Sequence, residues 1–154
     1  MELAAMSAPE NNDPFNLQRF IEAQRGSYAQ ALAELRAGRK TSHWIWYVFP
    51  QLTGLGFSQA SRFYGLSGLN EARAYLAHPA LGSRLRECVG AMLATGDRSA
   101  EDVLGSTDAM KFRSSMTLFA HAAPQEPLFA RALARFFDGA EDPKTLELLK
   151  EEGR

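Results

Sequence analysis

Cysteine is nearly absent from this chain: its 154 residues include one, Cys88, so no disulfide bond can form within it. A lone cysteine is typical of a reducing cytoplasm, which is the location we expect. The chain also lacks a charge excess, because 17 basic and 18 acidic residues give a formal net charge of −1. General nucleic-acid binders and proteins that bind anionic membranes usually carry a basic excess, so we predict neither activity.

Long hydrophobic runs and cofactor motifs are missing as well. No apolar run approaches the roughly 20 residues that a membrane-spanning helix needs, and the N-terminus does not resemble a signal peptide, so we expect a soluble, unanchored protein. The histidines His43, His78 and His121 lie far apart, and no pair has the spacing that places two metal ligands on one helix face. The glycine pattern matches no phosphate-binding loop. We therefore predict no metal site and no cofactor.

The length and the 45% hydrophobic content predict one domain. Residues 1–12 contain few apolar residues and are predicted to form a disordered N-terminal tail, followed by a single helical domain over residues 13–154. The pair Asp13-Pro14 is a typical helix start, because aspartate can accept the free amide hydrogens and proline fits the first helical position.

Apolar residues recur at helical spacing along the chain, most clearly over residues 81–93 and 109–123. Cys88 falls inside the first of these stripes, so we predict that it is buried and slow to react. The sequence predicts an all-α fold, a single compact orthogonal bundle of about eight short helices with no sheet.

The segment KTSHWIWYVFPQLTGLGFS, residues 40–58, contains both tryptophans. A short aromatic run can be a buried strand or a buried helix. Helix is favoured over residues 43–49, because Ser42 is a suitable N-cap and no second run exists to pair with a strand. Its rings exceed what one face of a short helix can bury, so at least one of them, Trp44 or Tyr47, should line a cleft or the surface.

Two polar groups in the sequence are candidates for ligand contact. Lys40, Ser42 and His43 stand at the N-terminus of the predicted aromatic helix, where a lysine, hydroxyls and free amide hydrogens favour an anion, although ordinary capping by Ser42 also explains them. Asp108 and Lys111 lie on the polar face of a helix predicted to begin at Ser106 or Thr107. That face is rich in small hydroxyls and suits either helix packing or a ligand, and the Asp108–Lys111 spacing also fits an exposed ion pair.

Three motifs resemble one bacterial family. The segments KTSHWIWYVFPQLTGLGFS, EARAYLAHPALGSRLREC and VLGSTDAMKFRSSMTLF occur in the order and spacing of the family called domain of unknown function 1810, and the resemblance runs from about Phe15 to Leu149. It implies an all-helical, orthogonally packed structure and carries no activity. Some members bear a calpastatin label, but inhibitors of that kind are disordered polar segments, unlike this compact, aromatic chain.

Two hypotheses for the function remain open. The first is a pocket for a small anionic or nucleotide-like ligand between the 40–51 segment and the 106–123 helix. Its ligand-binding residues would be Lys40, Ser42, Trp44, Trp46, Gln51, Lys111, Ser114 and Ser115. If the pocket is catalytic, His43 is the candidate general acid or base and Asp108 orients it. The alternative is a non-catalytic structural or protein–protein interaction module whose motif residues form a buried polar network.

Overall fold

The structure, a computed structural model, describes residues 13–152, and this part of the chain forms ten α-helices. In chain order they are α1 Gln18–Arg25, α2 Tyr28–Ala37, α3 Ile45–Val48, α4 Gln59–Tyr64, α5 Leu69–Ala77, α6 Pro79–Leu93, α7 Ala100–Leu104, α8 Ser106–Ala122, α9 Leu128–Phe137 and α10 Pro143–Glu152. The predicted all-α fold is confirmed, with more helices than the predicted eight. Residues 13–152 contain no strand, only one isolated parallel bridge between Leu52 and Leu66.

The tail predicted for residues 1–12 lies outside the described residues. The helix start predicted at Asp13-Pro14 is displaced by one turn. The Asp13 carboxylate accepts hydrogen bonds from the amides of Leu17 and Gln18, at 2.6 and 3.0 Å, and α1 begins at Gln18. Asn16 in between has a φ of 56°, which interrupts helical geometry. The aspartate therefore satisfies free amides as expected, but across a turn.

The longest helix, α8, has 17 residues and lies at the centre of the fold, in contact with α3, α5, α7, α9 and α10. Phe112 and Phe119 on this helix are fully buried. The helix begins at Ser106, as the sequence predicted. Its N-cap is Gly105, and no side chain caps it by a hydrogen bond. Ser114, Ser115 and Thr117 are buried too, because neighbouring helices cover the predicted polar face as well as the apolar stripe.

No helix in residues 13–152 has both the length and the apolar composition required to cross a membrane.

Cys88 lies on α6 inside the core, as predicted, with its side chain fully buried as a free thiol. Burial disfavours the charged thiolate and raises the pKa of Cys88 to about 12. The thiolate is the reactive form, so almost none is present at neutral pH.

We therefore expect Cys88 to react with an aromatic disulfide reagent at pH 7.5 only when the protein is unfolded in guanidinium chloride. An Ala94→Cys variant is the control, because Ala94 is exposed just after α6 and its thiol should react at once. Stoichiometric labelling of native wild-type protein within the mixing time would contradict the assigned burial of this helix face.

Candidate functional site

The aromatic segment forms a short helix as predicted, although only Ile45–Val48 is helical. The ring of Phe49 packs edge-on against Phe112 of α8, with centroids 4.7 Å apart, so this segment approaches α8 as expected. Of the two rings of which at least one was expected at a cleft or surface, Trp44 is only 1% exposed, whereas Tyr47 is partly exposed. Trp46 and Tyr47 are the partly exposed rings of this segment.

The polar corner before α3 is occupied by a carboxylate of the protein itself. Glu34 of α2 accepts hydrogen bonds from the amides of Thr41 and Ser42, at 2.9 and 3.1 Å, and from the Ser42 hydroxyl. Its Oε1 also accepts the indole N–H of Trp44 at 2.8 Å. The prediction that Ser42 caps the aromatic helix is therefore wrong. The amides and the hydroxyl that were expected to attract an anion donate their hydrogen bonds to Glu34.

Glu34 is strongly held in its charged form. Burial by itself would raise the pKa of this carboxyl, but hydrogen bonds from Ser42, Trp44 and Thr41 outweigh that effect and lower the pKa of Glu34 to about 2. The sequence contained a signal for this role. Glu34 stands next to Leu35 in the apolar stripe of α2, and a carboxylate at such a position needs partners.

Lys40 and Asp108 form a partly buried ion pair beside this corner. The Lys40 Nζ lies 2.7 Å from Asp108 Oδ2 and 5.1 Å from the ring centre of Trp44, with the lysine side chain only 7% exposed. Lys111 Nζ lies 3.8 Å from the other oxygen of Asp108, too far for a hydrogen bond. Because one carboxylate faces two ammonium groups and binds Lys40, the charge of Lys111 is only partly neutralised.

An open cavity lies on the other side of Lys111. Its volume is about 430 Å³. Polar and apolar side chains from α4, α8, the 51–58 linker and the start of α10 line it: Gln51, Leu55, Gly56, Phe57, Ser58, Ser61, Thr107, Met110, Lys111, Ser114, Asp142 and Lys144. We call this the Lys111 cavity. It contains three of the predicted ligand-binding residues, Gln51, Lys111 and Ser114.

The Asp142 carboxylate in the cavity wall is already hydrogen-bonded. Asp142 Oδ2 accepts bonds from the Ser114 hydroxyl at 3.1 Å, the Thr145 amide at 3.0 Å and the Thr145 hydroxyl at 2.5 Å. These bonds cap α10 and tie it to α8. The pair Asp142-Pro143 is a typical helix start, like Asp13-Pro14, but nothing in the sequence places Asp142 beside Ser114.

The structure does not bring the other predicted site residues to the cavity wall. Lys40, Ser42 and Trp44 belong to the Glu34 corner, and Ser115 is fully buried, its hydroxyl being without a partner among the described residues. Trp46 lines a separate small crevice of about 10 Å³, which Gln51 also lines.

His43 is exposed. Its backbone carbonyl accepts a hydrogen bond from the Tyr47 hydroxyl at 3.5 Å. Asp108 pairs with lysines and not with His43. Their catalytic role stays a prediction. Among residues 13–152 no three His, Cys, Asp or Glu side chains come together as a group able to hold a metal ion.

Comparison with known proteins places the chain in a family. The family model described as a protein of unknown function, DUF1810, matches residues 14–149, so the chain belongs to this family. The crystal structure of the conserved hypothetical protein Rv1873 from Mycobacterium tuberculosis is similar, with 49% sequence identity and a TM-score of 0.88. That match covers 90% of this chain and 99% of the other. No match is found among proteins with curated descriptions.

Proposed function

We propose that this member of the family binds a small anionic ligand, nucleotide-like compounds included, in the Lys111 cavity. The observation that carries the proposal is the position of Lys111: it lines the cavity, while the carboxylate nearest to it, that of Asp108, is bound by Lys40. An ammonium group with a distant counter-ion can bind an anion without first breaking a strong ion pair.

The rest of the cavity suits the same ligand class. Lys144 adds a second ammonium group, which lies 3.8 Å from the Glu147 carboxylate and so, like Lys111, is only loosely paired. The Ser61 hydroxyl accepts a hydrogen bond from the Ser58 hydroxyl at 2.9 Å and keeps its own hydrogen available for a ligand oxygen. The volume of about 430 Å³ falls in the range of roughly 300–1,000 Å³ that is typical of small-molecule sites.

The alternative, a structural module with a buried polar network, is favoured by one observation. The donors of the 40–44 segment bind the buried carboxylate of Glu34 and the partly buried carboxylate of Asp108. For Lys40, Ser42 and Trp44 we infer a role in holding the 40–51 segment against α2 and α8. We also keep two hypotheses from the sequence. One is catalysis by His43 with Asp108. The other is a cytoplasmic location, which suits the free thiol of Cys88.

Lys111→Ala is expected to weaken the binding of pyrophosphate and ribose 5-phosphate by at least about tenfold, because a charge-assisted contact contributes roughly 1.5–3 kcal/mol. The variant should lose less than about 1 kcal/mol of unfolding free energy, since its ion pair is long and partly exposed. Isothermal titration calorimetry at low ionic strength and urea denaturation measure the two effects.

Lys150→Ala is the matched control, because Lys150 is exposed near the end of α10 and does not line the cavity. It should change neither quantity. If neither anion binds the wild type at millimolar concentration and Lys111→Ala costs roughly 1–3 kcal/mol of stability, the polar network is the better account of the motif.

A further inference from the structure

The described residues leave three large hydrophobic side chains exposed, and two of them line the Lys111 cavity. These two are Phe57, 83% exposed, and Met110, 51% exposed; the third is Phe63. Phe57 lies on the linker before α4, whereas Met110 lies on α8, so two separate elements bring apolar groups to one polar cavity. Burying a phenylalanine side chain stabilises a fold, and at Phe57 the protein leaves this side chain in contact with solvent.

The two exposed phenylalanines differ in their surroundings. Phe63 packs edge-on against Tyr64, with ring centroids 4.8 Å apart, and so has a structural contact. The aromatic pairs within residues 13–152 do not include Phe57. Its ring faces are therefore available at the cavity.

The linker that carries Phe57 is anchored on both sides of the ring. On one side, the Leu66 amide donates to the Gln51 carbonyl and the Thr53 amide to the Leu66 carbonyl, both at 2.9 Å. On the same side, Gly56 packs so closely on Ser61 that an added Cβ would lie 2.5 Å from the Ser61 hydroxyl oxygen. On the other side, the Ser58 hydroxyl accepts a hydrogen bond from the Ser61 amide at 3.0 Å and caps α4. These contacts fix the backbone from which the Phe57 side chain projects at the edge of the cavity.

We infer that the ligand carries a planar ring in addition to its anionic group, as a nucleoside monophosphate does, and that Phe57 is the side chain that selects for this ring. The inference rests on the proposed anion site at Lys111. The anionic group would meet Lys111, Lys144 and the hydroxyls, while the ring would stack on Phe57 beside Met110. Aromatic pairs gain free energy beyond burial alone, and methionine sulfur packs well against rings.

The test compares the four nucleoside monophosphates with ribose 5-phosphate, which has the same phosphate and sugar but no base. Titration calorimetry with the full chain should show at least one nucleotide binding about two- to tenfold more tightly than ribose 5-phosphate. Phe57→Ala should remove this advantage and leave ribose 5-phosphate binding unchanged. Phe63→Ala is the matched control, an exposed phenylalanine outside the cavity, and should alter neither.

The other outcomes show whether the ring inference fails alone or together with the proposed anion site. If ribose 5-phosphate and the nucleotides bind equally and Lys111→Ala weakens both, the anion site stands and the ring inference is overturned. A nucleotide advantage that survives Phe57→Ala overturns the inference too, because the ring then binds elsewhere. If none of these compounds binds, both proposals fail. Because Phe57 is exposed, its variant should keep the wild-type melting temperature, which confirms that a loss of binding is local.

Discussion

Replacing Arg19 with alanine is expected to lower the free energy of unfolding by about 3–5 kcal/mol. The Arg19 Nη2 and the Glu71 Oε2 are 2.8 Å apart, and the two side chains are only 9% and 4% exposed. Removing the arginine leaves the Glu71 carboxylate buried without its positive partner, and that uncompensated charge is the main cost.

The guanidinium group also joins three parts of the chain. Its Nε donates to the Phe63 carbonyl at 2.8 Å, and Nη2 donates to the Gly65 carbonyl at 3.1 Å, both at the C-terminal end of α4. Its Nη1 bonds two carbonyl oxygens just before α1, at 2.7 and 2.8 Å. Arg19→Lys should lose most of the same stability, because an ammonium group cannot reach these acceptors with a planar, five-donor fork.

Arg25→Ala is the matched control on the same helix. Its ion pair with Glu22 is also short, 2.9 Å, but both side chains are more than half exposed, so the change should stay within about 0.5 kcal/mol. Urea denaturation followed by circular dichroism at 222 nm measures all three variants. Equal stabilities for Arg19→Ala and Arg25→Ala would show that the buried pair does not hold α1 and α5 together.

The fold could be predicted largely from local patterns, because helix periodicity does not depend on which helices meet. The stripe that contains Cys88 gave α6 with the correct face buried. Helix ends were less predictable, since they depend on contacts far along the chain. Ser42 resembles an N-cap in sequence, but Glu34 of another helix takes its hydroxyl and its amide.

The candidate site could be predicted in part, for a related reason. The polar surplus on α8 and the glycine-containing linker pointed to Lys111, Ser114 and Gln51, and these three line one cavity. Lys144 and Phe57 were not anticipated, because nothing local marks either residue as a neighbour of α8. Buried pairs such as Arg19–Glu71 join residues 52 positions apart, and a single sequence carries no signal for such pairing.

The stability of the protein is expected to depend on pH through Glu34. In the folded chain the pKa of Glu34 is about 2, against an ordinary value of 4.5, so the folded state binds a proton less readily than the unfolded state. The stabilisation is therefore fully present above about pH 5 and is lost as the pH falls towards 2. Its full size is about 3 kcal/mol, of which about 2 kcal/mol should be lost by pH 3.

Glu34→Gln isolates this contribution, because other carboxyl groups titrate alike in both proteins. At pH 7 the variant should be less stable by about 3 kcal/mol, and this difference should shrink towards about 1 kcal/mol at pH 3. Glu22→Gln is the control: it removes the same charge from an exposed carboxylate, so its difference from wild type should stay small across the range. Urea denaturation at pH 7, 5, 4 and 3 gives these values. A Glu34→Gln difference that does not change with pH would mean that the amides and hydroxyl around Glu34 do not favour its charged form.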